Sequence, residues 1–177
     1  MKTKKYEVGV DRVLKFNKKK EELPIIDKKN GKEAVFTATR WASFRQCKDK
    51  VNEQLNMMSQ EQDVAYRYHY GGGWHVSMTT GFWCVDLRKW YVRFGETGVK
   101  PTKTGIALRL PEWLKLKQII EYLHRDYPNV DNYTPCFLTH PLHFVGCADY
   151  APNAIRIINS ATDVWTEDER LIVLRDN

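Results

Sequence analysis

Trp41, Phe44, Val51, Leu55 and Met58 recur at spacings of three, seven, four and three residues. That rhythm lays one apolar stripe along a helix over about residues 39–58. A second stripe, Trp113, Leu116, Ile120 and Leu123, follows Pro111, a residue suited to a first helical turn. It runs to about Asp126, where Tyr127-Pro128-Asn129 stops it. Between the two stripes the period drops to two. From Ala65 to Tyr70, the side chains of Tyr66, Tyr68 and Tyr70 take one face and Arg67 and His69 the other. Gly71-Gly72-Gly73 breaks that strand, and Trp74–Thr80 and Phe82–Arg93 flank Gly81 as a hairpin. A short strand, Gly105–Arg109, leads into the second helix.

The same order occurs upstream. Tyr6–Phe16 reads as a strand, Pro24–Asp27 as another, and Ala34–Thr39 leads into the first helix. Tyr6-Glu-Val8-Gly9 has the spacing of Tyr68-His-Tyr70-Gly71, and Trp41-x-x-Phe44 has that of Trp113-x-x-Leu116. This pattern predicts a tandem repeat of a sheet-plus-helix unit, the first copy about ten residues shorter between its Gly and Trp anchors. The expected fold is α+β: two curved antiparallel ββββα units in one chain, paired as an intramolecular pseudo-dimer. Their expected limits are residues 1–60 and 61–127, with a C-terminal extension over 128–177.

The chain has 177 residues, of which 42% are hydrophobic, enough to build a core. Its net charge of +6 is unevenly placed. Residues 1–32 hold eleven basic and five acidic side chains, residues 33–125 fourteen and nine, and residues 126–177 three and eight. A basic body with an acidic tail points to a polyanionic partner, against the simpler account of a solvated basic surface. No run of 18 apolar residues predicts a membrane span, and Met1-Lys2-Thr3-Lys4-Lys5 lacks the apolar run of a signal peptide. Cys47, Cys84, Cys136 and Cys147 are too scattered for a disulfide scaffold, which points to a reducing compartment.

From Trp74 to Ile120 the chain resembles the C-terminal domain of the transcriptional coactivator positive cofactor four, a single-stranded-DNA-binding family. The matching residues are His75-Val-Ser-Met78, Asp86-Leu-Arg-Lys-Trp-Tyr91 and Lys100-Pro-Thr-Lys-Thr-Gly-Ile-Ala-Leu108, followed by Trp113-x-x-Leu-Lys117. The resemblance implies a curved four-stranded sheet with one helix, paired with a second unit. Each sheet would then offer a basic and aromatic channel to a single strand. The family's hairpin arginine lands on Arg88, its stacking tryptophan on Tyr91 and its basic turn on Lys100 and Lys103. Thr104 replaces the last basic residue of that turn, Trp74 an early-strand arginine, and Phe82 approximates a stacking phenylalanine. Plant Whirly proteins and the kinetoplastid guide-RNA-binding proteins resemble the chain more distantly, through two sheet–helix repeats in one chain.

The residues alone support the same chemistry. Single strands are held by a cationic groove along the phosphates and by aromatic faces on which bases stack. Residues 66–93 interleave Tyr66, Tyr68, Tyr70, Trp74, Phe82, Trp83, Trp90 and Tyr91 with Arg67, Arg88, Lys89 and Arg93. About half of these aromatics are expected in the core, because strands favour aromatic residues in any case, with Tyr91 among those left exposed. Trp41 and Trp113, on helical stripes, read as core. Lys28–Lys32 occupies in the first unit the place of Lys100–Lys103 in the second. The residues assigned to nucleic-acid contact are therefore Arg88, Tyr91, Lys100, Lys103, Trp74 and Phe82, with Arg12, Lys29 and Lys32 from the first unit.

Cys136, His140, His143 and Cys147 offer thiolate and imidazole, which suit zinc. Their spacing lacks a Cys-x2-Cys knuckle, and Phe137, Leu138, Leu142, Phe144 and Val145 around Pro141 suggest a buried extended segment instead. No metal and no cofactor are expected. No Gly-x-Ser-x-Gly elbow or His-Glu-x-x-His motif is present, so the reading is of a binding protein and not an enzyme. The expected function is single-stranded nucleic-acid binding, DNA first and RNA as the alternative, in transcription or replication. The expected location is the nucleus, with a viral or organellar setting as the alternative. The rival from another class is a protein-interaction module whose sheet aromatics meet a polymerase subunit or similar machinery.

Overall fold

The computed structural model describes residues 3–17, 21–92 and 99–134. Four strands come first: β1 (Lys4–Glu7), β2 (Arg12–Phe16), β3 (Glu22–Asp27) and β4 (Glu33–Thr37). They form an antiparallel sheet in the order β1-β2-β3-β4, and α1 (Ala38–Ser59) follows. The second unit repeats this with β5 (Ala65–Gly71), β6 (Trp74–Thr79), β7 (Phe82–Val92), β8 (Val99–Arg109) and α2 (Leu110–Asp126). Its sheet order is β5-β6-β7-β8. The chain is thus an α+β protein of two ββββα units.

Two expectations about strands are corrected. Tyr6–Phe16 is two strands, because the Val8 and Gly9 N–H groups both donate to the Arg12 carbonyl, at 2.9 and 3.2 Å, and turn the chain back. Val8 and Val10 looked like continuing strand positions, yet Val10 sits on the turn, 92% exposed. The last strand begins at Val99 and not at Gly105, so Lys100 and Lys103 lie within β8.

Each sheet turns one face inward. In the first, Leu14, Phe16, Leu23, Ile25, Ala34 and Phe36 are buried; in the second, Val76, Met78, Val85, Leu87, Ile106 and Leu108. The helices carry matching stripes, Trp41, Phe44, Cys47 and Val51 on α1 and Trp113, Leu116, Ile120 and Leu123 on α2, all buried. α1 starts cleanly because the Thr37 hydroxyl accepts from the Arg40 N–H at 3.4 Å. In α2 the Glu112 carboxylate accepts from the Arg109 N–H at 2.8 Å.

These buried faces form one core. Phe36 of β4 stacks on Tyr70 of β5 at 5.2 Å, and Phe44 of α1 meets Trp113 of α2 edge-on at 6.0 Å. The Trp113 indole N–H donates to Asn52 Oδ1 of α1 at 3.0 Å. The contacts are reciprocal at the ends. The turn after β1 brings Gly9 against Glu112, where a Cβ would lie 2.8 Å from Glu112 Oε1. The turn after β5 brings Gly72 against Arg40. Arg40 and Glu112 are each the third residue of their helix.

Trp113→Ala is expected to lower the unfolding free energy by about 3–5 kcal/mol, the usual cost of deleting a large core aromatic. Urea unfolding followed by far-UV circular dichroism would measure it. A loss below about 1 kcal/mol would place Trp113 outside the core.

Candidate nucleic-acid interface

Alternation along the second sheet sends Arg67, His69, His75, Ser77, Asp86, Arg88 and Trp90 to the face away from the core. They are layered there. His69 and His75 lie 5.0 Å apart, and the Gly73 N–H donates to His69 Nε2 at 3.2 Å. Trp90 packs on His75 at 5.7 Å, and the Arg67 guanidinium sits 4.9 Å over the Trp90 ring. Both histidines are therefore buried although they lie on the outer face. Burial lowers the pKa of Arg67. At the far end of this face, burial and then the Asp86 charge push the Cys84 thiol up.

Register explains the next feature. Arg88 pairs with Gly105 but Trp90 pairs with Pro101, so Thr102, Lys103 and Thr104 bulge out opposite Lys89. Gly105 makes this possible: its φ is +148°, and a Cβ there would lie 2.7 Å from the Arg88 Cα. The bulge is held by the Thr102 hydroxyl, which donates to the Lys89 carbonyl at 2.7 Å. Arg88 donates to both Asp86 oxygens, at 2.9 and 3.0 Å, and to the Thr102 carbonyl at 2.9 Å. It is oriented and partly neutralised by Asp86, which its sequence position did not reveal.

Arg88 thus reaches the bulge that bears Lys103, and Lys100 lies opposite Tyr91 in the register. Lys100, Lys103 and Tyr91 are exposed. Strand alternation puts Trp90, and not Tyr91, on the face of Arg88. Phe82 and Trp83 project from the start of β7, 68% and 54% exposed. Trp90 and Arg67 were not singled out in the sequence as contact residues. The signal for Arg67 was present, since it alternates with Tyr66 and Tyr68, which pack on the core.

Four other assigned residues lie elsewhere. Trp74 is in the core, 5% exposed and stacked on Tyr70 at 6.5 Å, so its ring presents no face to a base. Arg12 shares the inward side of β2 with Leu14 and Phe16 and is paired with Asp27 at 3.5 Å and with Glu112. It ties the first sheet to the start of α2. Lys29 and Lys32 are exposed on the β3–β4 turn, and Lys29 borders a cleft of about 490 Å³ shared with Arg12, Asp27 and Glu112. Cys136, His140, His143 and Cys147 lie outside the described residues.

Residues 80–119 match the family model described as Transcriptional Coactivator p15 (PC4). The matched span covers the β6–β7 turn, β7, β8 and the first turns of α2. No curated protein and no solved structure matches the chain.

Arg12→Ala is expected to cost about 1–3 kcal/mol of unfolding free energy, because it leaves the largely buried Asp27 and Glu112 carboxylates without their guanidinium partner. Urea unfolding of the variant would measure this. Wild-type stability would instead leave Arg12 available as a phosphate contact.

Proposed function

We propose that the chain is a non-enzymatic single-stranded-DNA-binding protein that acts in transcription, in the nucleus. One observation carries this reading. The segment that matches a transcriptional coactivator family is the segment whose bulged β7–β8 pair holds Arg88 against the bulge that bears Lys103 and sets Lys100 opposite Tyr91. The lysines would take phosphates, Arg88 would present its oriented guanidinium, and Tyr91 and Phe82 would stack bases. None of these contacts reads a base edge, so affinity would vary little with sequence.

The two units would form an intramolecular pseudo-dimer descended from a tandem duplication. In support, Trp41 and Trp113 are each the fourth residue of their helix and Phe44 and Leu116 each the seventh. The α1–α2 contact would stand in for a homodimer interface. The protein should therefore sediment as a monomer at micromolar concentration; an obligate dimer with α1 and α2 in contact between chains would overturn this arrangement.

Titration with single-stranded and duplex oligonucleotides of DNA and RNA at several salt concentrations tests the function. Single-stranded DNA should bind best, and a preference for RNA or duplex would overturn the reading. The slope of log affinity against log salt is about −0.7 per phosphate neutralised on a single strand. Replacing both Lys100 and Lys103 by Ala should therefore shrink it by about 1.4. Tyr91→Ala should leave the slope unchanged and cost about 1–3 kcal/mol of binding free energy. Wild-type slope and affinity in a folded double-lysine variant would remove these residues from the site.

A further inference from the structure

The two sheets share a topology, but their outer faces differ in kind. The second carries the stack of Arg67, Trp90, His75 and His69 beside Arg88. On the first, cross-strand rows read Glu7-Val13-Ile26-Glu33 and Lys5-Lys15-Pro24-Val35. No aromatic side chain lies on that face among the described residues, because Tyr6, Phe16 and Phe36 all point to the core. Its lysines are matched by Glu7, Glu22 and Glu33. A face of aliphatic side chains and balanced charge gives a single strand neither a stacking surface nor a net positive track.

The second face supplies both. An arginine lying over an indole forms a flat cationic and aromatic surface, and bases stack on guanidinium planes as well as on rings. Arg67 and Trp90 come from strands β5 and β7, two strands apart in the sheet order, so the pair spans the middle of the face. On one side it adjoins Arg88 and the Lys103 bulge.

We infer that the chain holds one single strand, on the second sheet alone, and that Arg67 and Trp90 form a stacking platform at the centre of that site. This inference rests on the proposed single-strand binding and specifies where and in what number strands bind. It makes the pseudo-symmetric fold asymmetric in function: one unit binds and the other supports it.

The test is a stoichiometric titration of the full chain with a 12-nucleotide oligothymidylate, at protein concentrations far above the dissociation constant. Native mass spectrometry reads the number bound. One strand per chain is expected, and two per chain would overturn the inference while leaving single-strand binding intact. Absence of any binding would overturn both. Two variant sets locate the strand. Trp90→Ala should weaken binding at least about 5-fold, because it removes the ring over which the Arg67 guanidinium lies. Arg67→Ala should weaken it at least about 5-fold. Lys5→Ala combined with Lys15→Ala should leave affinity and salt slope unchanged. A comparable loss in the Lys5 and Lys15 variant would place a strand on the first sheet. Wild-type affinity in a folded Arg67→Ala protein would remove the platform.

Discussion

The structure depends on a core that neither unit closes alone. A four-stranded sheet with a single helix has one apolar face to bury, and such small assemblies are marginal by themselves. Here the inward face of each sheet meets the other unit. Phe36 lies on Tyr70, Phe44 on Trp113, and Asn52 satisfies the Trp113 indole. The aromatic rings supply the buried area of the seam, and the Trp113 indole N–H is paired across it. Everything outside the seam, including the exposed faces of both sheets, is positioned by it.

The inner faces are constrained by that seam, and it is in their outer faces that the units differ. That of the first sheet is aliphatic and charge-balanced; that of the second carries cationic and aromatic groups. The bulge in β8 is the local device that raises Lys103 out of the sheet and lets Arg88 reach the Thr102 carbonyl. A glycine at position 105 is required there by both φ and the closeness of the Arg88 backbone.

Helices and the doubled strand–helix order were legible in the sequence because each rests on a local period. α1 was expected over 39–58 and spans Ala38–Ser59; the Trp113 stripe marks α2 over Leu110–Asp126. The division of the aromatics was legible only in part: Tyr91 was expected outside and is exposed, whereas Trp74, assigned to nucleic-acid contact, is buried. What stayed hidden depends on long-range geometry. The turn at Val8–Asp11 has no Asn-Gly or Pro-Gly signature. Arg12 meets Glu112 a hundred residues away, and no local pattern announces such a pair. Asp86 sits two residues from Arg88, on the same face by alternation, but nothing in the spacing says that the carboxylate will hold the guanidinium. Alternation already puts Trp90 on the face of Arg88 and Tyr91 on the other; the three-residue bulge opposite Lys89 is what no local pattern shows.

The reciprocal contacts at the two helix starts have a consequence for how the halves choose each other. The turn after β1 leads into Arg12, which meets Glu112; the turn after β5 carries Gly72 and meets Arg40. Were two copies of the first unit to associate in the same geometry, Arg12 would face Arg40, cation against cation. Two copies of the second would leave the Glu112 carboxylate without its guanidinium. Only unlike halves place opposite charges together, so the ion pair discriminates against misassembly as well as joining a sheet to a helix. In a newly made chain, where both halves are tethered and therefore concentrated near each other, this selectivity favours closure within the molecule over aggregation of like units.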